Sequence, residues 1–232
     1  MPDPQLLDSP IWNALRTDHD RLAIGDNLAR TYPAEIGPLS GTADQSAEAY
    51  ESLRKLAGNG GVLGLFLLQP YEERRGWKLL RGEPLNQMIF AGDAQPALGT
   101  LPAHAELRAL SPADIPAMVE LAELTEPGPF RKRTSELGPF FGILESGRLL
   151  AMAGQRMRVP GFIEVSAVCT HPDARGRGYA RALMSVVMED IFKQGATPFL
   201  HVLPDNPAIR IYEALGFIQR RVFHLAVLKS ED

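Results

Sequence analysis

Arg175-Gly176-Arg177-Gly178-Tyr179-Ala180 joins two segments of different periodicity. Before it runs Phe162-Ile163-Glu164-Val165-Ser166-Ala167-Val168-Cys169-Thr170, rich in β-formers and closed by His171-Pro172-Asp173. After it, Ala180, Leu183, Met184, Val187 and Ile191 recur at the spacing of one helix face. Strand, glycine loop and helix in that order form an anion cradle. Glycine lets backbone approach a ligand closely, and the first N–H groups of a helix have no internal acceptor. A P-loop needs Lys followed by Ser or Thr after its last glycine, where this chain has Tyr179 and Ala180. A dinucleotide fingerprint needs a third glycine and an early βαβ unit, and this loop lies late in the chain. A pyrophosphate loop of another kind, or a tight turn that binds nothing, remains.

A second segment, Phe199-Leu200-His201-Val202-Leu203-Pro204-Asp205-Asn206-Pro207-Ala208-Ile209-Arg210-Ile211-Tyr212-Glu213-Ala214-Leu215-Gly216-Phe217, reads as a strand and a short capped helix. Asn206 suits an N-cap, Pro207 a first helical position and Gly216 a C′ position. Ala208, Ile211, Tyr212 and Leu215 share a face.

Arg175 to Ala180 resembles the coenzyme A pyrophosphate loop (Gln/Arg-x-x-Gly-x-Gly/Ala) of the GNAT acetyltransferase family. Tyr212-Glu213-Ala214-Leu215-Gly216-Phe217 resembles that family's Tyr-Glu-x-Leu-Gly-Phe signature. The resemblance covers about residues 105 to 228 and is nearest to the FR47-like branch, in whose style are Glu164-Val165-Ser166-Ala167-Val168-Cys169-Thr170-His171-Pro172 and Pro198-Phe199-Leu200-His201-Val202. It implies an α/β (α+β) GNAT fold, a mixed central sheet flanked by helices. One departure is that Asn206 stands one residue closer to the tyrosine than the family's asparagine, with Asp205 in the usual place. Helix capping is therefore its expected job, rather than contact with the cofactor.

The chain has 232 residues, with 45% hydrophobic and 22% charged, ordinary values for one large or two small globular domains. Small residues and prolines without a period between 93 and 104 read as a linker. The expected division is an N-terminal α/β domain over 1–95, a linker over 96–104 and a GNAT domain over 105–232. The first part is read either as a decayed GNAT-like half sharing its sheet with the second or as an unrelated accessory domain. In it, helices are expected from Ser9-Pro10 and across Ala43 to Ala57. Strands are expected at Val62 to Leu68, Trp77 to Leu80 and Gln87 to Phe90, with Gly82-Glu83-Pro84 as a turn. In the second part, Ala105 to Leu110 reads as a strand. Ser111-Pro112-Ala113-Asp114 reads as a capped helix start, and Phe141 to Glu145, Ser146-Gly147 and Arg148 to Val159 as a hairpin.

A net charge of −4 without a basic run argues against a nucleic-acid or anionic-membrane partner. The single Cys169 excludes an internal disulfide and a cysteine metal cluster, and no metal is expected. No apolar run reaches about 18 residues, and Met1-Pro2-Asp3-Pro4-Gln5 lacks the start of a signal peptide. A cytoplasmic monomer or homodimer is the expectation.

Acyl transfer from a thioester to an amine needs a held cofactor, a route for the amine's proton, an oxyanion donor and a proton for the leaving thiolate. Acetyl-CoA is the implied co-substrate. Gly176, Arg177, Gly178, Tyr179, Ala180 and Arg181 would hold it through backbone groups, with Arg175 and Arg177 adding charge. The resemblance adds Val168, Cys169 and Thr170 as partners of the pantetheine arm, with an N–H near Val168 or Cys169 as oxyanion donor. Alternation places Glu164, Ser166, Val168 and Thr170 on one strand face. Glu164 is thereby the first candidate base, its pKa raised by burial, and it matches the general-base glutamate of the family's histone-acetyltransferase branch. Glu126 is the second candidate. Tyr212, a phenol protonated at neutral pH, is the candidate general acid. His201 reads as a packed histidine, His171 as a surface residue and Cys169 as a buried hydrophobe. The acceptor would be a small-molecule or peptide amine. The other class consistent with these residues is a non-catalytic acyl-CoA sensor or interaction module.

Overall fold

The computed structural model describes residues 3–92, 96–97 and 101–231. In chain order it contains α1 (Pro10–Arg16), β1 (Ile24–Gly25), β2 (Ala29–Thr31), β3 (Ser40–Thr42), α2 (Ala47–Ala57), β4 (Val62–Leu67) and β5 (Trp77–Phe90). Then follow β6 (Ala105–Ala109), α3 (Ile115–Thr125), β7 (Phe140–Glu145), β8 (Arg148–Val159), β9 (Phe162–Thr170), α4 (Tyr179–Lys193), β10 (Thr197–Val202), α5 (Ile209–Ala214) and β11 (Phe217–Ser230).

Local chemistry accounts for many of the ends. Ser46 accepts the Ala49 amide at the start of α2. The Asp114 carboxylate accepts the Ser111 amide at 2.7 Å before α3, the back half of a capping box. Ser146 and Gly147 both have positive φ, at 48° and 81°, the conformation a two-residue hairpin turn between β7 and β8 requires.

Eight strands form one sheet in the order β4-β11-β5-β10-β9-β8-β7-β6, and β1-β2-β3 form a small second one. Only β9 and β10 pair in parallel among the strands of the large sheet; the other neighbours are antiparallel. The expected boundary near 93–104 falls partly outside the described residues, at 93–95 and 98–100. The strands on its two sides belong to the same sheet, since β5 lies between β10 and β11.

The two strands expected at 77–80 and 87–90 are one, and Gly82-Glu83-Pro84 is not a turn. The reason is tertiary. β11 pairs with β5 along its length, from Phe217 opposite Phe90 to Ser230 opposite Trp77. Pro84 is tolerated there because β10 pairs with β5 only from Asn86 to Ile89, so the missing N–H breaks no ladder bond on that side.

Helix α4 buries Leu183, Met184, Val187 and Ile191 against Ile143, Leu150, Ala151 and Val165 on one face of the sheet. On the other face α3 packs Met118 and Leu121 against Leu149, Met152 and Cys169, and α1 packs Ile11 and Leu15 with Met157, Phe162 and Phe199. No helix among the described residues is long and apolar enough to cross a membrane.

Candidate active site

The parallel pair β9–β10 is short. Phe162, Ile163 and Glu164 face Thr197, Pro198 and Phe199, and then the strands part. Ala167 sits at φ 51°, and the register against β8 slips there, with Met152 opposite Cys169 and Gly154 opposite Ser166. One extra residue on β9 makes a bulge that bends the strand away from its neighbour. The fork opens a cleft of about 280 Å³ lined by Val165 to Val168 of β9, Leu200 to Leu203 after the fork, and Tyr212 and Asn206. Glu126-Pro127-Gly128-Pro129, the loop after α3, lines it too. So do Phe66 of β4 and Arg81, Glu83 and Leu85 of β5, all from the N-terminal segment.

The bulge also corrects the expected strand faces. Ile163, Val165 and Val168 pack toward the α4 side, whereas Ala167 and Cys169 pack toward α3. Val168 therefore does not share a face with Glu164. Strict alternation fails at the extra residue.

Beyond the cleft lies the glycine loop. Gly178 caps α4 with φ 79°, and Gly176 has φ 77°, conformations that disfavour any side chain. A Cβ built on either would meet nothing within 4 Å, so open space surrounds the backbone at the start of a 15-residue helix. The amides of Tyr179, Ala180 and Arg181 occupy the first turn, where no intrahelical acceptor exists. Such a cradle fits a pyrophosphate. Of the two loop arginines, Arg177 is tied to Glu145 at 2.9 Å, and Tyr179 donates to the same carboxylate. Arg175 is exposed and makes no ion pair among the described residues.

Tyr212 is 7% exposed, packs edge-on against Phe217 and lines the cleft. Burial, with a smaller contribution from Cys169, pushes its pKa up to about 12. Its hydroxyl makes no hydrogen bond among the described residues. Cys169 is buried and its thiol is pushed up to about 11, as a small hydrophobe would be.

Glu164 is in a different environment from the one expected. It is fully buried, and both oxygens are clamped. Arg156 donates Nε to Oε2 and Nη2 to Oε1, each at 2.7 Å. His201 Nδ1 lies 2.7 Å from Oε1, and the Met157 amide donates to Oε2 at 3.3 Å. Burial alone raises the carboxyl pKa, but Arg156 and His201 outweigh it and hold Glu164 down to about 2. The expected rise is thus reversed, because the group is paired rather than merely desolvated. His201 is itself buried and its pKa is lowered, mainly by that burial. Gln87 Nε2 lies 3.1 Å from its Nε2 and also donates to the Leu7 carbonyl, so the neutral ring donates from Nδ1 to Glu164.

A family model described as FR47-like protein matches residues 140–224. No curated protein matches the chain. A candidate acetyltransferase from the GNAT family of Novosphingobium aromaticivorans is 35% identical over 100% of both chains, with a TM-score of 0.89. This chain belongs to the GNAT acetyltransferase family. GCN5-related N-acetyltransferases from Kribbella flavida and Sphaerobacter thermophilus share the fold at lower identity. The first is 17% identical over 98% of this chain and 95% of its own, TM-score 0.62. The second is 15% identical over 100% and 95%, TM-score 0.58.

In this GNAT acetyltransferase the structure gathers Glu126, Tyr212 and Val168 at one cleft and leaves Glu164 behind its wall. Asn206 lines the cleft, and its side chain accepts the Ala208 amide at 2.9 Å in a local turn; it is not the expected N-cap, nor Pro207 the first helical residue, because α5 starts at Ile209 with Ala208 as its cap. His171 is half-buried and accepts from Arg148 at 2.7 Å, so it is less exposed than expected. Sequence reasoning missed Arg156 and the contributions of β4 and β5. Arg156 precedes Glu164 by eight positions across the turn at Pro160-Gly161, and a charged residue in a strand, Gln155-Arg156-Met157-Arg158, was the available signal. A register slip, Gln155 opposite Val165 and Arg158 opposite Ile163, puts a second bulge there and turns Arg156 toward Glu164.

Proposed function

We propose that the protein moves an acetyl group from acetyl-CoA to a primary amine by direct attack, with Tyr212 as general acid. The observation that carries the reading is a protonated, internally unpartnered phenol on the wall of the cleft at the β9–β10 fork. The first-turn amides of α4 with Gly176 and Gly178 would hold the pyrophosphate, and Val168, Cys169 and Thr170 would run beside the pantetheine arm. The amine nitrogen bonds to the thioester carbon, an N–H near Val168 supports the oxyanion, and the C–S bond breaks as Tyr212 gives its proton to sulfur. The amine's proton leaves toward Glu126, the exposed carboxylate at the cleft. Glu164 holds Arg156 and His201 in place, since its acceptor positions are filled.

The experiment is calorimetric binding of acetyl-CoA beside thiol release over an amine panel. Gly178→Val meets no steric conflict in the free protein, so the fold persists apart from the strain of a positive φ. Losing one charge-assisted hydrogen bond, about 1.5–3 kcal/mol, weakens acetyl-CoA binding by about tenfold or more. Unchanged affinity in a folded variant removes the loop assignment. Tight binding with no amine acetylated by the wild type leaves a sensor in place of an enzyme.

A further inference from the structure

We infer that the acceptor amine carries a carboxylate on an apolar body, in the manner of a hydrophobic α-amino acid, and that Arg156 is the residue that selects it. This rests on the acetyl-transfer reading for the reaction, but not for the binding.

Arg156 lines the cleft with its side chain only 12% exposed. Two of its three nitrogens, Nε and Nη2, are fixed on Glu164. The third, Nη1, makes no hydrogen bond among the described residues. A guanidinium clamped on one edge is a preorganised donor on the other, and a carboxylate is the partner that best suits it. The clamp is itself held. Glu164 is fixed by His201, His201 by Gln87, and Gln87 Oε1 by Arg220 at 2.8 Å. The second arginine of the cleft, Arg81, already lies 2.5 Å from the Glu83 carboxylate.

The cleft that Arg156 lines has apolar wall residues, Leu39, Phe66, Leu85, Leu225 and Val227, beside the paired Arg81 and Glu83. The Phe66 ring centre lies 5.9 Å from the guanidinium carbon. An apolar side chain has contacts there. A polyamine could lay methylenes on these walls too, but it lacks the carboxylate and would set a second cation beside Arg156. At the fork, Glu126 supplies a carboxylate for the ammonium group in the same cleft as Tyr212.

The test uses the wild type with acetyl-CoA and three acceptors: phenylalanine, phenylalanine methyl ester and phenethylamine. The ester is less basic and phenethylamine more basic than the amino acid, so basicity alone cannot favour phenylalanine over both. We expect kcat/KM for phenylalanine to exceed that of each by about 10²-fold. In Arg156→Lys, which keeps a cation but loses the fork, the preference should shrink below about tenfold. Equal or faster turnover of either control by the wild type overturns the proposal. So does an Arg156→Lys variant with full preference. Neither wild-type readout depends on the variant folding. Thermal shift with coenzyme A present separates the two readings. A saturable rise with phenylalanine but not phenethylamine, without thiol release from any amine, upholds the acceptor site and removes the reaction. No rise and no release removes the acceptor site, while acetyl-CoA calorimetry reports separately on the glycine loop.

Discussion

Tyr212→Phe is expected to lower kcat by about 10²- to 10⁴-fold, the range for loss of a general acid, with acetyl-CoA affinity nearly unchanged. The substitution removes one oxygen. The ring keeps its place, 6.4 Å from the Phe217 ring and packed in the α4-side core. The hydroxyl makes no hydrogen bond among the described residues, so its loss orphans no partner and stability should hold. Since a group acting only in the transition state changes kcat and kcat/KM together, both should fall by a similar factor. A pKa of about 12 adds a further expectation. The phenol stays protonated through neutral and mildly alkaline pH, so its own titration draws no alkaline limb below that range. The check is stopped-flow thiol release on a purified variant with wild-type melting temperature. A variant with wild-type kcat would make Tyr212 a packing residue and send the proton to sulfur by way of solvent.

The parts of the site that were legible in the sequence are those made by neighbours in the chain. Strand, glycine loop and helix at 162–193 needed only periodicity and two glycines. The structure gives β9, Gly176 and Gly178 at positive φ, and α4 starting at Tyr179. Ser111-Asp114 and Ser146-Gly147 acted through bonds or dihedrals within a few residues, and each left its mark in composition, whereas the Ser46 cap was missed and α2 starts at Ala47 rather than at Ala43. What was not legible is set by partners far apart. Gly82-Glu83-Pro84 has the composition of a turn, and only the long register with β11 makes it strand. The bulge at Ala167 carries no glycine, so alternation was carried through it and put Val168 on the wrong face. Arg156 and His201 look like ordinary polar residues in strands until three strands bring them to Glu164. The N-terminal segment offered no chemical motif, yet Phe66, Arg81, Glu83 and Leu85 wall the cleft. They get there because β5 enters the sheet beside β10, and β4 follows across β11.

Glu164→Ala should destabilise the fold by about 3–5 kcal/mol, the cost of breaking a buried ion pair by removing one partner. Arg156 would be left with its charge in a site only 12% exposed, and His201 would lose the acceptor of its Nδ1–H. Chemical denaturation of wild type and variant at pH 7 gives the difference directly. The pH dependence carries a second signature. The Glu164 pKa is about 2 in the folded chain against an ordinary 4.5, so its stabilisation is complete above pH 4.5 and is lost as pH falls toward 2. His201 is lowered, so the unfolded chain takes up a proton below its ordinary 6.5 while the folded one resists. Stability therefore starts to fall as pH drops below 6.5 and falls further below 4.5. Glu164→Ala should flatten the part below 4.5. Glu164→Gln then decides between anchor and base. A base with a pKa of about 2 is ionised at every pH at which the enzyme would be assayed, so it could not produce an acid limb in kcat/KM between about pH 5 and 9. For an anchor, Glu164→Gln should weaken both stability and acceptor binding, with KM rising more than kcat falls, because Arg156 is no longer held flat against a carboxylate. A variant of unchanged stability and KM whose kcat drops by about 10²-fold or more would return Glu164 to the chemistry and require the Arg156 clamp to open in each turnover.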